Sequence, residues 1–310
     1  MSITVVDFGC YGLQINKAED VELGILAKQI TSALSDIGFV YLINTGIQNS
    51  EVLSVMDISR KFFALPQAVK EQFSRSFDSK HLNHGWVAIG SERLNTSRPG
   101  DLKEAFNVEA LSLEIKWPPN SLVNEFQTTL EGFFRHCEQL SLRILNIIAL
   151  GLGLNASDFV SQHKLMSTNK NMTTLRSLYY PPIDKSTVKK GQTRCGEHSD
   201  YGTITLLFQD SSGGLEVMHR TGEYIYSPPI PGAVLVNIGD LMQRWTSDLL
   251  ISTKHRVMLP SDDKNIIRQS VAFFVHPDDD TVITSCDGSN KYPPITAKNY
   301  VLERFNDTYN

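Results

Sequence analysis

The chain has 310 residues, of which 41% are apolar, and a formal charge of −5, a composition that excludes disordered and fibrous proteins. This negative net charge does not indicate binding to nucleic acid, because such binding requires clustered Lys and Arg. Four cysteines lie far apart and form no C-x-x-C pair: Cys10, Cys137, Cys195 and Cys286. We therefore expect reduced thiols in an intracellular protein rather than a disulfide scaffold.

Neither a secretory signal nor a membrane span is expected. The N-terminus lacks the basic segment and the apolar segment of a signal peptide. The most apolar helical run, from Leu140 to Leu150, is too short to cross a bilayer and is interrupted by polar residues. We predict a soluble protein of the cytoplasm that does not act on membranes.

The first hundred residues alternate between predicted strands and helices. Residues 3–8 and 39–43 are rich in β-branched and aromatic side chains and are predicted strands. Apolar residues recur at helical spacing over 18–37 and again after Ser50, which we expect to cap the second helix. The segment 84–108 is predicted to be rich in loops.

The sequence pattern differs in the rest of the chain. Asn120 is placed to cap a long helix that runs to about Leu150. From residue 173 onward, short apolar runs alternate with Gly, Pro, Ser and Asp clusters, which is typical of an antiparallel sandwich or barrel. The predicted strands are 175–180, 204–208, 215–218, 233–238, 255–259 and 270–275, and a last helix is predicted over 298–305.

These patterns predict a mainly β fold with flanking helices. We divide the chain into an α/β region (1–115), a long buttressing helix with its connection (116–172) and an antiparallel β core (173–310). No flexible linker separates these parts, so we expect them to form one catalytic unit.

One histidine and one carboxylate are placed to share a site. His198 and Asp200 are two residues apart, so on an extended strand both side chains project from one face. His255 opens another short apolar strand, 55 residues after Asp200, which is enough chain for several strands to bring it alongside. Two histidines and one carboxylate on one side of a metal is the arrangement of non-haem Fe(II) oxygenases.

A simpler interpretation of these residues is also open. A single histidine near a strand is more often a hydrogen-bonded polar residue than a metal ligand. That interpretation is our expectation for the histidines without a plausible partner: His81, His136, His163, His219 and His276.

Arg268 and Ser270 share one face of an otherwise apolar predicted strand. A buried guanidinium needs a partner, because an unpaired buried charge is costly. A carboxylate bound in bidentate fashion suits it, with the serine hydroxyl adding a hydrogen bond. An internal Asp or Glu is the structural alternative. Only Glu216 interrupts the neighbouring predicted strands, so we prefer a carboxylate from a bound molecule.

The motifs together resemble the 2-oxoglutarate- and Fe(II)-dependent dioxygenases of the isopenicillin N synthase-like superfamily. The resemblance extends over nearly the whole chain. Its motifs are His198-x-Asp200, His255 and Arg268-x-Ser270, with Asp36 to Leu42, Lys61 to Pro66, Asn237 to Met242 and Ser252 to Val257. The run from Gly196 to Asp210 is especially similar to a microbial branch that includes thymine 7-hydroxylase.

The resemblance implies a double-stranded β-helix (jelly-roll) core with an iron site at one open end. His198, Asp200 and His255 would be the metal ligands, and no further catalytic residue is implied. Arg268, Ser270 and Tyr180 would bind 2-oxoglutarate. Fe(II), 2-oxoglutarate and O2 would be required, with ascorbate as a stimulant, and the products would be succinate, CO2 and an oxidised small molecule. Many relatives have an Asn-x-Tyr-Pro element, and Leu178 stands here in place of its asparagine.

The sequence predicts the substrate less specifically than it predicts the reaction. Phe274, Arg176, Tyr201 and Phe106 are candidate substrate contacts, and the resemblance suggests a small planar or nucleobase-like molecule. Arg176 could instead pair with Glu104 or Asp101. Hydroxylation, desaturation and ring closure all stay open, as does the oligomeric state.

Three alternatives compete with this function. The first is an Fe(II) oxidase or cyclase of the isopenicillin N synthase type that does not use 2-oxoglutarate. The second is a non-redox zinc enzyme, since the same three ligands suit Zn(II). The third is a non-catalytic binding protein, which would have no need of all three ligands.

Overall fold

The structure is a computed structural model and describes residues 2–75, 83–92, 98–111, 116–260 and 266–309. Its strands are β1 (Val5–Asp7), β2 (Phe39–Ile43), β3 (Gly85–Val87), β4 (Glu104–Val108), β5 (Thr174–Tyr180), β6 (Cys195–His198), β7 (Ile204–Gln209), β8 (Leu215–Met218), β9 (Tyr224–Tyr226), β10 (Val234–Ile238), β11 (His255–Val257), β12 (Arg268–Val275), β13 (Val282–Ile283) and β14 (Ile295–Thr296). Its α-helices are α1 (Asp20–Asp36), α2 (Asn49–Phe63), α3 (Gln67–Lys70), α4 (Phe126–Gly151), α5 (Ala156–Ser161), α6 (Asp240–Trp245) and α7 (Ala297–Tyr309). Short 3-10 helices occupy Gly9–Tyr11, Glu71–Phe73 and Lys185–Thr187.

Two β-sheets form the centre of the molecule. The main sheet has the strand order β1-β2-β10-β7-β12-β5-β4-β3, and the smaller sheet has the order β6-β11-β8-β9. Within the main sheet β1 and β2 are parallel and the other neighbours are antiparallel. The predicted mainly β fold with flanking helices is therefore confirmed.

The alternation of side chains along β12 separates two apolar cores. Val271, Phe273 and Val275 belong to the outer core, which lies between the main sheet and the helices. There the ring of Phe273 lies edge-on to Phe134 of α4, with 4.9 Å between centroids. Ala272 belongs to the inner core between the two sheets. A strand has a side-chain period of two, so the polar residues of its other face also point between the sheets.

Two predicted helix starts are wrong. Helix α2 begins at Asn49, and its N-cap is Gln48, whose side chain forms a capping box with Glu51, rather than Ser50. Helix α4 begins at Phe126 instead of next to Asn120. Asn120 accepts a 3.3 Å hydrogen bond from the backbone of Glu125 in the preceding turn, so its side chain stabilises the turn and not the helix.

The predicted loop-rich segment 84–108 contains β3 and β4, which extend the main sheet beside β5. Its charged side chains suggest a surface loop, yet Glu104 is buried. The Glu104 carboxylate accepts hydrogen bonds from Lys70 and from the Trp86 indole, both at 2.7 Å. Paired charges of this kind can occupy a buried strand.

Two further predictions concern the chain as a whole. All four cysteines are free thiols. Among the helices of the described ranges, none combines the length and the apolar character that crossing a bilayer requires.

Candidate metal centre and adjoining cavity

His198, Asp200 and His255 meet at one end of the smaller sheet. His198 ends β6 and pairs across the sheet with His255, the first residue of β11. Asp200 follows two residues after His198, just beyond the strand. Its Oδ1 lies 3.7 Å from the Nε2 atom of each histidine, and the three ligand atoms all lie within 4.8 Å of one another. These separations suit three groups that each bind one ion at about 2 Å.

Each of the three side chains forms hydrogen bonds on the side away from the site. These bonds determine which of its atoms faces the site. Nδ1 of His198 lies 2.8 Å from the Gly196 carbonyl oxygen, and Nδ1 of His255 lies 3.1 Å from that of Thr253. Each Nδ1 therefore donates to a carbonyl and leaves the Nε2 lone pair for a metal.

The Asp200 carboxylate is held in the same way. Its Oδ2 accepts hydrogen bonds from the Thr205 hydroxyl and the Asn237 amide, both at 2.7 Å. Oδ1 is left for the ion. The donor set of two imidazoles and one carboxylate fits Fe(II) with open coordination positions.

Burial and nearby groups keep His255 and Asp200 in the protonation states that bind metals. Burial lowers the pKa of His255 to about 4, and the neighbouring His198 contributes to this lowering. Burial would raise the pKa of Asp200, but the two histidines and its two hydrogen bonds outweigh this effect and lower it. At neutral pH His255 is thus neutral and Asp200 is ionised, as metal binding requires.

Arg268 and Ser270 lie on the inner face of β12, and Arg268 is only 1% exposed. Its guanidinium donates to the Gly213 carbonyl (2.8 Å), the Ser270 hydroxyl (3.1 Å) and the Gln209 side-chain oxygen (3.0 Å). It also lies over the ring of Tyr180, which faces it across the β5–β12 pair, 4.7 Å from the centroid.

The structural alternative for Arg268, an internal ion pair, is not observed among the described residues. Glu216, the acidic residue considered for it, pairs instead with Arg256 at 2.8 Å. A guanidinium has five N–H groups, so after three hydrogen bonds Arg268 keeps donors and a full charge for a bound carboxylate. The surroundings fit the far carboxylate of 2-oxoglutarate.

A cavity with an empty volume of about 770 Å³, which includes its open mouth, adjoins the candidate metal centre. His198 and Asp200 form part of its wall, together with three of the residues predicted to contact substrate: Arg176, Tyr201 and Phe274. Leu178, which replaces the asparagine of many relatives, also lines it and lies opposite Ser270 across the sheet.

The fourth predicted substrate contact, Phe106, lies elsewhere. Its ring is fully buried in the outer core, 5.0 Å from the ring centroids of Phe62 and Phe126. It is not part of the cavity wall. The face of β4 that carries Phe106 turns toward the helices, and a single short strand in the sequence does not reveal which face is buried.

Arg176 pairs with Glu92, a residue that the sequence did not single out. The Glu92 carboxylate also lies 3.6 Å from Lys103 and 3.6 Å from Arg75. Burial would raise the pKa of Glu92, but Arg176, Lys103 and Arg75 outweigh it and hold the pKa well below its usual range. The cavity wall therefore carries an ionised carboxylate beside a guanidinium.

The sequence agrees with a known family over most of its length. Residues 171–277 match the 2OG-Fe(II) oxygenase superfamily, and residues 3–135 match the N-terminal family described as "non-haem dioxygenase in morphine synthesis". The chain is 34% identical to the 2-oxoglutarate-dependent dioxygenase htyE of Aspergillus rugulosus, covering 91% of this chain and 90% of that one. It is 32% identical to the proline hydroxylase buaE of Petromyces alliaceus, with 91% and 93% covered.

A solved structure agrees with the fold as well. The full-length thymine 7-hydroxylase of Neurospora crassa, in complex with alpha-ketoglutarate (2-oxoglutarate) and thymine, superposes with a TM-score of 0.87 at 31% identity. The match covers 98% of this chain and 96% of that one. The fold and the three-residue site define a non-haem oxygenase with a jelly-roll core. This chain belongs to the 2OG-Fe(II) oxygenase superfamily and is a 2-oxoglutarate-dependent dioxygenase that uses Fe(II).

Proposed function

We propose that this dioxygenase hydroxylates a small planar molecule of the nucleobase type, bound in the cavity beside His198 and Asp200. The observation that carries the proposal is the composition of the cavity wall. It combines two of the three proposed ligands, His198 and Asp200, with the aromatic ring of Phe274 and the Arg176–Glu92 pair.

In this proposal His198, Asp200 and His255 hold Fe(II), and Arg268, Ser270 and Tyr180 hold the far carboxylate of 2-oxoglutarate. The bound iron would supply O2 activation coupled to decarboxylation of 2-oxoglutarate to succinate and CO2. The protein's own part is to hold the reacting C–H of the substrate near this site and to exclude competing groups.

The polar and apolar groups of the wall suit a ring with polar edges. A guanidinium donates to a carbonyl oxygen and a carboxylate accepts an N–H, so Arg176 and Glu92 together match a ring that carries both groups on one edge. The Phe274 ring offers a flat apolar surface against which a planar molecule can stack. The thymine complex of the Neurospora enzyme supports the same class of substrate.

The substrate class can be tested by anaerobic titration of the full chain loaded with Fe(II) and 2-oxoglutarate. The panel contains thymine and proline, and the visible absorption of the iron–2-oxoglutarate complex reports binding. We expect thymine to perturb this absorption. A response to proline alone would replace the nucleobase type by an amino-acid type, in line with the name of buaE.

The co-substrate assignment has its own test. Arg268→Lys should raise the KM for 2-oxoglutarate at least about tenfold, because lysine cannot reproduce the planar fork of donors. Arg256→Lys, on a strand of the smaller sheet and paired with Glu216, is the matched control and should leave this KM unchanged. Oxygen uptake without succinate release would instead favour the 2-oxoglutarate-independent oxidase.

The location in the cytoplasm and the division of the chain at residues 115 and 172 stay predictions from the sequence.

A further inference from the structure

The inner face of β12 continues past its last residue. Arg268, Ser270, Ala272 and Phe274 alternate along this face, and His276 is the next residue at the same period. A strand rises about 3.3 Å per residue, so His276 lies roughly 20 Å beyond Ser270 along the chain. His276 lines the same cavity as Phe274.

Hydrogen bonds at both backbone polar groups hold His276 in place. Its backbone N–H donates to the Thr173 hydroxyl at 3.0 Å, and its carbonyl accepts from the Asn171 amide at 2.9 Å. The ring lies against Gly202, where an added Cβ would be 3.2 Å from Cε1 of His276. The side chain is 7% exposed, and the part that is not enclosed by protein faces the cavity.

One ring nitrogen of His276 lacks a hydrogen-bond partner within the part of the chain that the structure describes. Nδ1 is sealed from solvent and has no hydrogen-bond partner among the described residues. Neighbouring polar side chains do have partners: Asn83 donates to Thr174 at 3.1 Å, and Ser199 donates to Asp240 at 3.1 Å. Buried N–H groups are nearly always paired, so a nitrogen that is sealed in without an acceptor is expected to carry a lone pair rather than a proton.

The protonation state of the ring follows from its surroundings. Burial lowers the pKa of His276 to about 4, and the charge of Asp200 opposes this effect only in part. His163 also interacts with His276, and burial lowers the pKa of His163 to about 3. Both rings are neutral at pH 7, so His276 carries one N–H and one lone pair.

The sealed position of Nδ1 decides which nitrogen carries the proton. A buried N–H without an acceptor is rarer and more costly than an unused lone pair. The proton therefore belongs on Nε2, the nitrogen left to face the cavity.

We propose that His276 is a specificity-determining residue whose Nε2–H donates a hydrogen bond to a carbonyl oxygen of the bound substrate. The inference deepens the proposed function and rests on it for the planar, carbonyl-bearing substrate. It predicts discrimination against analogues that lack this oxygen, because their binding would leave the buried N–H without an acceptor.

The first test does not depend on the identity of the substrate. The full chain is labelled with 15N-histidine, loaded with 2-oxoglutarate and diamagnetic Zn(II), and its ring nitrogens are observed by NMR at pH 7. The His276 signals are assigned by their loss in His276→Gln. We expect the neutral Nε2–H form, and either the Nδ1–H form or an imidazolium would overturn the proposal.

The second test measures binding of thymine to the full chain loaded with Fe(II) and 2-oxoglutarate under anaerobic conditions. His276→Phe, which keeps an aromatic ring without a donor, should weaken thymine binding about tenfold to a hundredfold and leave the affinity for 2-oxoglutarate unchanged. His276→Gln, which restores an N–H donor, should recover part of the loss.

His219→Phe is the matched control, since His219 is also only 8% exposed but lies at the turn between β8 and β9, outside the cavity wall. Equal thymine affinity in wild type and His276→Phe would overturn the proposal. If the wild type does not bind thymine, the nucleobase part of the proposed function fails, and the NMR measurement alone decides the role of His276.

Discussion

The two carboxylate oxygens of Asp200 have different roles. Oδ2 is held by the Thr205 hydroxyl and the Asn237 amide, and Oδ1 is left to face the two histidines. The orientation of the proposed ligand atom thus depends on residues that do not touch the ion. Asn237 is buried on β10, between β2 and β7 in the main sheet, so the sheet itself positions the ligand.

Asn237→Leu tests this support at the residue scale. The change keeps the size of the side chain but removes the amide donor, so we expect the affinity for Fe(II) to fall about tenfold to a hundredfold. Competition with a coloured chelator under anaerobic conditions measures this affinity.

Asn107→Leu is the matched control, because it also replaces a buried asparagine of the main sheet. Asn107 is also buried, but its amide donates to Asn83 at 2.9 Å and not to a candidate ligand. Its variant should keep the wild-type affinity for Fe(II). An unchanged affinity in Asn237→Leu would contradict the supporting role.

At the scale of elements, the turn between β6 and β7 brings the metal centre against the end of β12. The backbone N–H of Thr203 donates to the Val275 carbonyl at 2.8 Å, and Asp240 donates its N–H to the Asp200 carbonyl at 2.7 Å. Gly202 lies at the point of closest approach, where an added Cβ would be 2.2 Å from the Val275 oxygen. The turn can pack here because this residue has no side chain.

Gly202→Ala should therefore destabilise the protein. The added methyl group must displace the backbone of Val275, and overpacking of this kind costs about 1–3 kcal/mol. Urea denaturation measures the free energy of unfolding.

Gly24→Ala is the matched control, because a Cβ at this exposed position of α1 would meet no atom within 4 Å. It should stabilise the protein by about 0.5–1 kcal/mol, since alanine favours a helix interior over glycine. Equal stability of Gly202→Ala and wild type would show that the turn has room that the structure does not indicate.

The sequence predicts those elements that are determined by residues close together in the chain. The strands of the β core show apolar runs between turn residues, and β8 has the predicted bounds from Leu215 to Met218. The same holds for the proposed ligand set, in which His198 and Asp200 are two residues apart and His255 opens a strand. Their convergence follows from short spacing together with strand pairing, both of which leave a trace in the sequence.

Features that depend on residues far apart in the chain cannot be recognised in the sequence in this way. Strand β4 contains Glu104, whose burial becomes possible only because Lys70 and Trp86 lie beside it. Glu92 and Arg176 are 84 residues apart, and neither position suggests the other. His276 has the period of the inner face of β12, but only the structure shows that its ring borders the cavity and that Nδ1 lacks a partner among the described residues.

At the scale of the whole molecule, buried ionisable groups connect stability to pH. Glu109 is 8% exposed, and burial raises the pKa of its carboxyl to about 7. The nearby Asp279 carboxylate adds to the rise, whereas the hydrogen bond from the Asn83 backbone and the charge of Lys298 oppose it. The folded state thus binds this proton more tightly than the unfolded chain, where the ordinary value is 4.5.

The sign of the effect follows from the two pKa values. Below about pH 4.5 the carboxyl is protonated in both states, and its contribution to stability is fully present. Between pH 4.5 and 7 the unfolded state loses the proton first, so stability falls as the pH rises. One pKa unit corresponds to about 1.4 kcal/mol, so the shift from 4.5 to about 7 gives a total loss of at most about 3.5 kcal/mol.

Glu109→Gln removes this titration and keeps the shape of the side chain. We expect the variant and the wild type to have similar stability near pH 5, and the variant to be more stable by up to about 3.5 kcal/mol at pH 8. Urea denaturation at several pH values between 5 and 8 measures the difference. Glu303→Gln, at an exposed position of α7, is the control and should follow the wild-type curve. A constant difference between Glu109→Gln and wild type across this range would contradict the expected proton uptake, because a loss of packing alone does not depend on pH.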